Sequence, residues 1–145
     1  MIGNITNVVI PSKIENSGKE YSITGISNYA FNGCESLKSI ELPEGITSIG
    51  RAGFGYCISL QNIELPKSVI SIGIGAFAGC SELKNIEMSE GLQNIYDEAF
   101  YGCSKLESIN IPASVTSITN NIFSGCSSVK SITVDENNSV YDSRN

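Results

Sequence analysis

The chain has 145 residues, 41% of them hydrophobic and 17% charged, with a formal net charge of −6 at pH 7. That length and an even composition fit one domain with no linker. An acidic balance without clustered Lys or Arg argues against nucleic acid and anionic membrane surfaces as partners, and no apolar stretch is long enough to cross a bilayer as a helix.

In chain order, Val8, Ile10 and Pro11 have the look of a short strand closed by proline. Pro11 to Ile23 then spans twelve residues where Pro43 to Ile46 spans three, so nine residues loop out. The extra stretch includes the polar run Glu15-Asn16-Ser17-Gly18-Lys19-Glu20. Residues 1–26 are therefore expected to form an N-terminal cap with an insertion over 12–22.

From there to residue 141 the chain is a tandem repeat of about five units. Cys34, Cys57, Cys80, Cys103 and Cys126 recur every 23 residues, with Phe31, Phe54, Phe77, Phe100 and Phe123 three residues ahead of them. Leu37, Leu60, Leu83, Leu106 and Val129 form a further column, and Ile40, Ile63, Ile86, Ile109 and Ile132 another. The second half of each unit adds Ile46, Val69, Leu92 and Val115, then Ile49, Ile72, Ile95 and Ile118. A period of 20 to 29 residues signals a solenoid, in which one coil cannot bury its own apolar face and stacked coils share a core. The final unit starts near Val134, places Tyr141 in the isoleucine slot and is incomplete, without a visible polar cap. Such an open end is expected to be covered by further chain or another molecule, and self-association through it is a possible partner mode.

Within one unit, Ile40 and Leu42 fall on one side of a strand while Ser39 and Glu41 fall on the other, because side chains alternate. Pro43, Pro66 and Pro112 lack an N–H and end the ladder. Gly33, Gly79, Gly102 and Gly125 suit a left-handed position that closes a helical turn. Tyr56 breaks that column, and Gly55 before it is expected to relocate the turn.

Ala30-Phe31-Asn32-Gly33-Cys34, Ser39-Ile40-Glu41-Leu42-Pro43 and Ile46-Thr47-Ser48-Ile49-Gly50 together resemble the BspA-like branch of the leucine-rich repeats. The resemblance covers Val8 to Tyr141. It implies an α/β repeat solenoid, a leucine-rich-repeat right-handed superhelix with a parallel β-sheet on one face and short strands or helical turns on the other. Proteins of this kind are surface or secreted proteins of host-associated bacteria and some protists. A protein-binding module for adhesion to host or neighbouring-cell proteins is the function so implied, with a structural spacer within a longer surface protein as the alternative. The general template places Asn or Cys where this chain has Gly45, Ser68, Gly91 and Ser114, so no asparagine ladder is expected.

Five cysteines invite a metal or disulfide reading, but the chain has no His and no C-x-x-C pair. Recurrence in an apolar column fits free core thiols. No cofactor is implied. Without His, acid–base catalysis would fall to carboxylates, none of which sits in an apolar column, so no enzyme is expected. No segment resembling a signal peptide follows Met1.

The outward face of the sheet is the candidate partner-binding surface. Its middle row runs Glu41, Glu64, Glu87, Asn110 and Thr133. Stacked like charges are destabilising, a cost that a cation or a basic partner would explain. Relief by the flanking lysines Lys38, Lys84 and Lys130 on a solvated face is the plainer account. Tyr56, Ile58, Ile70 and Ile74, the isoleucines in columns that are polar in other units, form a candidate apolar patch, with local repacking as the competing explanation.

Overall fold

In the computed structural model, which describes residues 4–142, the chain winds into a β-solenoid of about five turns. The ends of the domain expected over 1–145, residues 1–3 and 143–145, lie outside the described residues. One side of the coils carries β1 (Asn7–Val9), β5 (Ser39–Glu41), β7 (Asn62–Glu64), β9 (Asn85–Glu87), β11 (Ser108–Ile111) and β13 (Ser131–Val134). An adjacent side carries β4 (Gly25–Ile26), β6 (Ser48–Ile49), β8 (Ser71–Ile72), β10 (Asn94–Ile95) and β12 (Ser117–Ile118). All pairings among these strands are parallel, and register follows the repeat, as in Glu64 opposite Glu87 and Ile49 opposite Ile72.

The sequence places the main sheet on the Ser39–Leu42 side. There the strands are laddered only in twos, β1 with β5, β7 with β9 and β11 with β13. At the seams the stacking continues through longer bonds, Gln61 N–H to Lys38 O and Glu107 N–H to Lys84 O, both at 3.3 Å. The continuous sheet is the five-stranded one made of the two-residue strands.

The helical turns expected on the remaining side are absent, and no helix occurs among the described residues. Backbone bonding explains the difference. Ala52, Phe54 and Tyr56 give their N–H groups to the next coil, at Ile74 O, Ala76 O and Ala78 O over 2.7–2.9 Å. Gly53 and Gly55 instead bond back three residues within their own coil, each at 3.0 Å. A helix would keep every such N–H internal. Sending alternate ones across makes this side another stacking surface, and the fold is all β rather than α/β.

Each coil turns through two left-handed positions. One is the glycine column, with Gly33, Gly79, Gly102 and Gly125 at φ between 69° and 78°. Tyr56 holds the same position itself at φ 56°, so Gly55 does not relocate the turn. Gly55 is small for another reason: a Cβ there would stand 2.6 Å from Asn32 Oδ1. The second column is Tyr29, Ala52, Gly75, Glu98 and Asn121, at φ 47–60°.

The core lies between these sides. The five phenylalanines stack face to face, with centroids 5.2–5.9 Å apart and interplanar angles of 14° or less. Beside them Cys57, Cys80 and Cys103 are fully buried and all five thiols are free. Each of Cys57, Cys80, Cys103 and Cys126 donates its S–H to the Phe carbonyl 26 residues earlier, at 3.1–3.2 Å. A small apolar group with one weak donor is what that column requires.

The insertion in the first unit folds as an antiparallel hairpin, β2 (Lys13–Asn16) with β3 (Lys19–Ser22). Every residue of both strands is exposed. At the other end, Asn138 stands 23 residues after Val115, in an aliphatic column. Its amide donates to Pro112 O at 2.9 Å and Val115 O at 3.0 Å, while its oxygen accepts the N–H groups of Val140 and Tyr141 at 2.8 Å. Tyr141 Oη then accepts the Ile118 N–H at 2.8 Å. Side chains thus satisfy backbone groups of the last coil, a polar covering that the sequence did not reveal.

Candidate functional site

The side carrying β5, β7 and β9 points Ile40, Ile63 and Ile86 inward and turns Glu41, Glu64 and Glu87 to solvent. Strand alternation fixes this, since one residue's slip would expose the isoleucines. Glu64 and Glu87 are directly opposite partners, and Glu41 belongs to the same row one coil earlier. The row continues as Asn110, whose side-chain oxygen accepts the Thr133 hydroxyl at 3.0 Å. A second outward row is polar and uncharged. Ser39 donates to Asn7 Oδ1 at 2.6 Å and Asn85 to Asn62 Oδ1 at 3.3 Å. The two rows make a flat face with acidic centre and hydroxyl–amide flank, with shallow depressions between coils, one bounded by Asn62, Glu64, Asn85 and Glu87.

Lys38, Lys84 and Lys130 are exposed beside this face, at the start of the strands. Lys130 turns to Glu107, at 3.4 Å, within its own column. Lys105 and Glu82 pair in the same coil-to-coil manner at 2.8 Å. No ion pair among the described residues involves Glu41, Glu64 or Glu87. The flanking lysines therefore do not relieve the glutamate row by direct contact.

The four residues of the apolar patch are all exposed, Tyr56 most at 59%. Tyr56 and Ile58 precede β7 in the chain, whereas Ile70 and Ile74 follow it. Ile70 and Ile74 flank β8 on either end. Ile74 takes a position where Asn28 accepts the Arg51 N–H at 2.8 Å and Asp97 accepts the Asn120 N–H at 3.0 Å, a bond its own side chain cannot make. The Tyr56 ring lies against Gly79, where an added Cβ would come within 2.6 Å of Cδ1.

Burial pushes the Cys57 thiol up to about 12 and Cys80 higher still, holding both protonated and inert. The Cys126 thiol against it, together with burial, raises Cys103 as well. The carboxyl of Asp97 is held below its ordinary value by the neighbouring Thr119 hydroxyl and by the hydrogen bond from the Asn120 N–H. Among the described residues no group of three or more His, Cys, Asp or Glu is placed to hold a metal, and no helix is long and apolar enough to cross a membrane.

Residue-by-residue reasoning did not pick out the exposed Tyr29, Tyr96 and Tyr101 of the turn side. None recurs at the period, so no column marks them. It also did not pick out the Ile14–Tyr21 pair of the hairpin, although their apolar character in a polar run was the available signal.

The profile of the BspA type leucine rich repeat region matches residues 2–130 in six copies. Among solved structures, a leucine rich repeat protein of T. pallidum, TpLRR, matches with a TM-score of 0.85 at 32% identity, over 90% of this chain and 59% of that one. A leucine-rich repeat protein from Bacteroides ovatus gives 0.85 at 34% identity, over 92% and 34% of the two chains. The pneumococcal vaccine antigen PcpA gives 0.74 at 25% identity, over 92% and 41%. The chain thus spans 34–59% of the length of these three. No curated protein sequence matches it.

Proposed function

Because the chain belongs to the BspA-type leucine-rich repeat family, we propose that it is a non-enzymatic protein-binding module of a cell-surface or secreted protein, working in adhesion to host or neighbouring-cell proteins. The observation that carries this reading is the unpaired carboxylate row Glu41, Glu64 and Glu87 on a flat, rigid face. Stacked strands hold such groups about 4.8 Å apart, and their repulsion is unrelieved within the chain. A partner with a basic surface gains from that field and removes the cost. Kinship with a protein described as a pneumococcal vaccine antigen is consistent with an exposed location.

The test is capture from an extract of host surface and matrix proteins on the immobilised chain. Replacing Glu41, Glu64 and Glu87 together by Lys should abolish capture while leaving the thermal unfolding midpoint near that of the parent. Equal capture by both chains would remove the sheet face from the function. A second reading, a spacer holding other parts of a longer protein apart, is favoured by the unbroken Phe and Cys stacks and by the longer relatives. A spacer would retain nothing specific in the same experiment.

A further inference from the structure

The hairpin of β2 and β3 projects as two strands with every residue exposed, and neither strand pairs with another among the described residues. An isolated two-stranded hairpin is marginal in water, and its free edges seek a partner strand. Its register shows which groups are free. The two-residue turn Ser17-Gly18, both at positive φ, closes on the pair Asn16 and Lys19. At the far end Ile23 N–H bonds Ser12 O at 2.9 Å. Hydrogen-bonded and non-bonded pairs alternate in an antiparallel ladder. Ile14 with Tyr21 is therefore a bonded pair, whereas Lys13 with Ser22 and Glu15 with Glu20 are not. The N–H and C=O groups of Lys13 and Glu15 accordingly point away from β3, along the open edge of β2.

That edge is complementary to itself. A two-fold axis through Ile14, perpendicular to the hairpin, sets Lys13 opposite Glu15 of a second copy and Glu15 opposite its Lys13. Four backbone hydrogen bonds then form from groups that are otherwise only solvated, and two oppositely charged cross-strand pairs face each other on one side. The other side brings Ile14 against its own copy, next to the two Tyr21 rings, so that side chains 48% and 47% exposed in the single chain come together. A further strain is relieved. Glu15 and Glu20 are opposite one another within the hairpin, a like-charge pair, and Lys13 bonds Glu20 at 2.6 Å, leaving Glu15 without a cation. The second copy's lysine supplies one. The outer edge of β3 offers no equivalent, because a two-fold axis through Tyr21 would oppose Glu20 to Ser22.

We propose that the hairpin Lys13–Ser22 is a self-association element, through which two copies of this chain join their β2 edges into a four-stranded antiparallel sheet. Analytical ultracentrifugation of the whole chain should show a dimer. Lys13→Glu makes the edge wholly negative and Glu15→Lys makes it wholly positive. Each alone should raise the dissociation constant about 30-fold, both cross-strand pairs turning from attraction to repulsion. A one-to-one mixture of the two variants should restore a heterodimer of parental affinity, which a merely misfolded variant could not do. A parent that stays monomeric at about 1 mM, a dimer indifferent to both substitutions, or a mixture that fails to associate would each overturn the proposal.

Discussion

Replacing Gly79 by alanine separates two costs that the turn column combines. Gly79 and Gly102 share the left-handed backbone, at φ 72° and 69°. At Gly102 an added Cβ meets nothing closer than 3.8 Å, so Gly102→Ala should cost only the left-handed penalty, about 1–2 kcal/mol. At Gly79 the same atom would stand 2.6 Å from Tyr56 Cδ1 and 2.9 Å from Cε1. The ring is 59% exposed and free to swing aside, so the addition is that of losing its resting place, about 0.5–1.5 kcal/mol. Urea unfolding should therefore rank Gly79→Ala below Gly102→Ala by that margin. Placing Gly79→Ala in a Tyr56→Gly background should remove the excess, because the ring is gone. Equal losses at the two glycines, or an excess that survives the loss of Tyr56, would refute the account of Tyr56 as a side chain held by the turn of the next coil.

Two further outcomes follow from the interior. Phe77 is fully buried between two parallel rings and Phe123, in the last unit, has one such neighbour and is only partly buried, so Phe77→Ala should cost about 3–5 kcal/mol and Phe123→Ala distinctly less. Equal losses by calorimetry would contradict a stacked core. The thiol of Cys57 is raised from 9.0 to about 12 in the fold, so its protonated form contributes stability that is complete below pH 9 and is lost as pH climbs through that interval. Unfolding midpoints should fall above pH 9 and fall less in Cys57→Ala, and native-state labelling by a thiol reagent should reach Cys57, Cys80 and Cys103 only on unfolding.

How much was legible depended on whether a contact repeats. Phe31 to Phe123 and Cys34 to Cys126 could be assigned to the interior because each coil meets its neighbour through the same column, and five recurrences leave no other consistent placement. The second left-handed column was not legible, since Tyr29, Ala52, Glu98 and Asn121 share a backbone angle and no side-chain chemistry; only Gly75 hinted at it. There the φ is imposed by inter-coil bonds such as Tyr29 N–H to Arg51 O, which no local window contains. The same bonds turned an expected helical turn into a stacking surface.

The outward rows follow a different logic. Glu41, Glu64 and Glu87 were correctly assigned to the surface by alternation alone, yet whether Lys38, Lys84 and Lys130 would reach them depended on side-chain geometry that periodicity does not encode. Lys130 pairs within its own column because Glu107 is one coil away along the stacking axis, whereas a glutamate of the central row is three residues further along the strand. Vertical neighbours a strand spacing apart come within reach where lateral ones do not. The row Glu41, Glu64 and Glu87 has no lysine of its own, and none of the three joins an ion pair among the described residues.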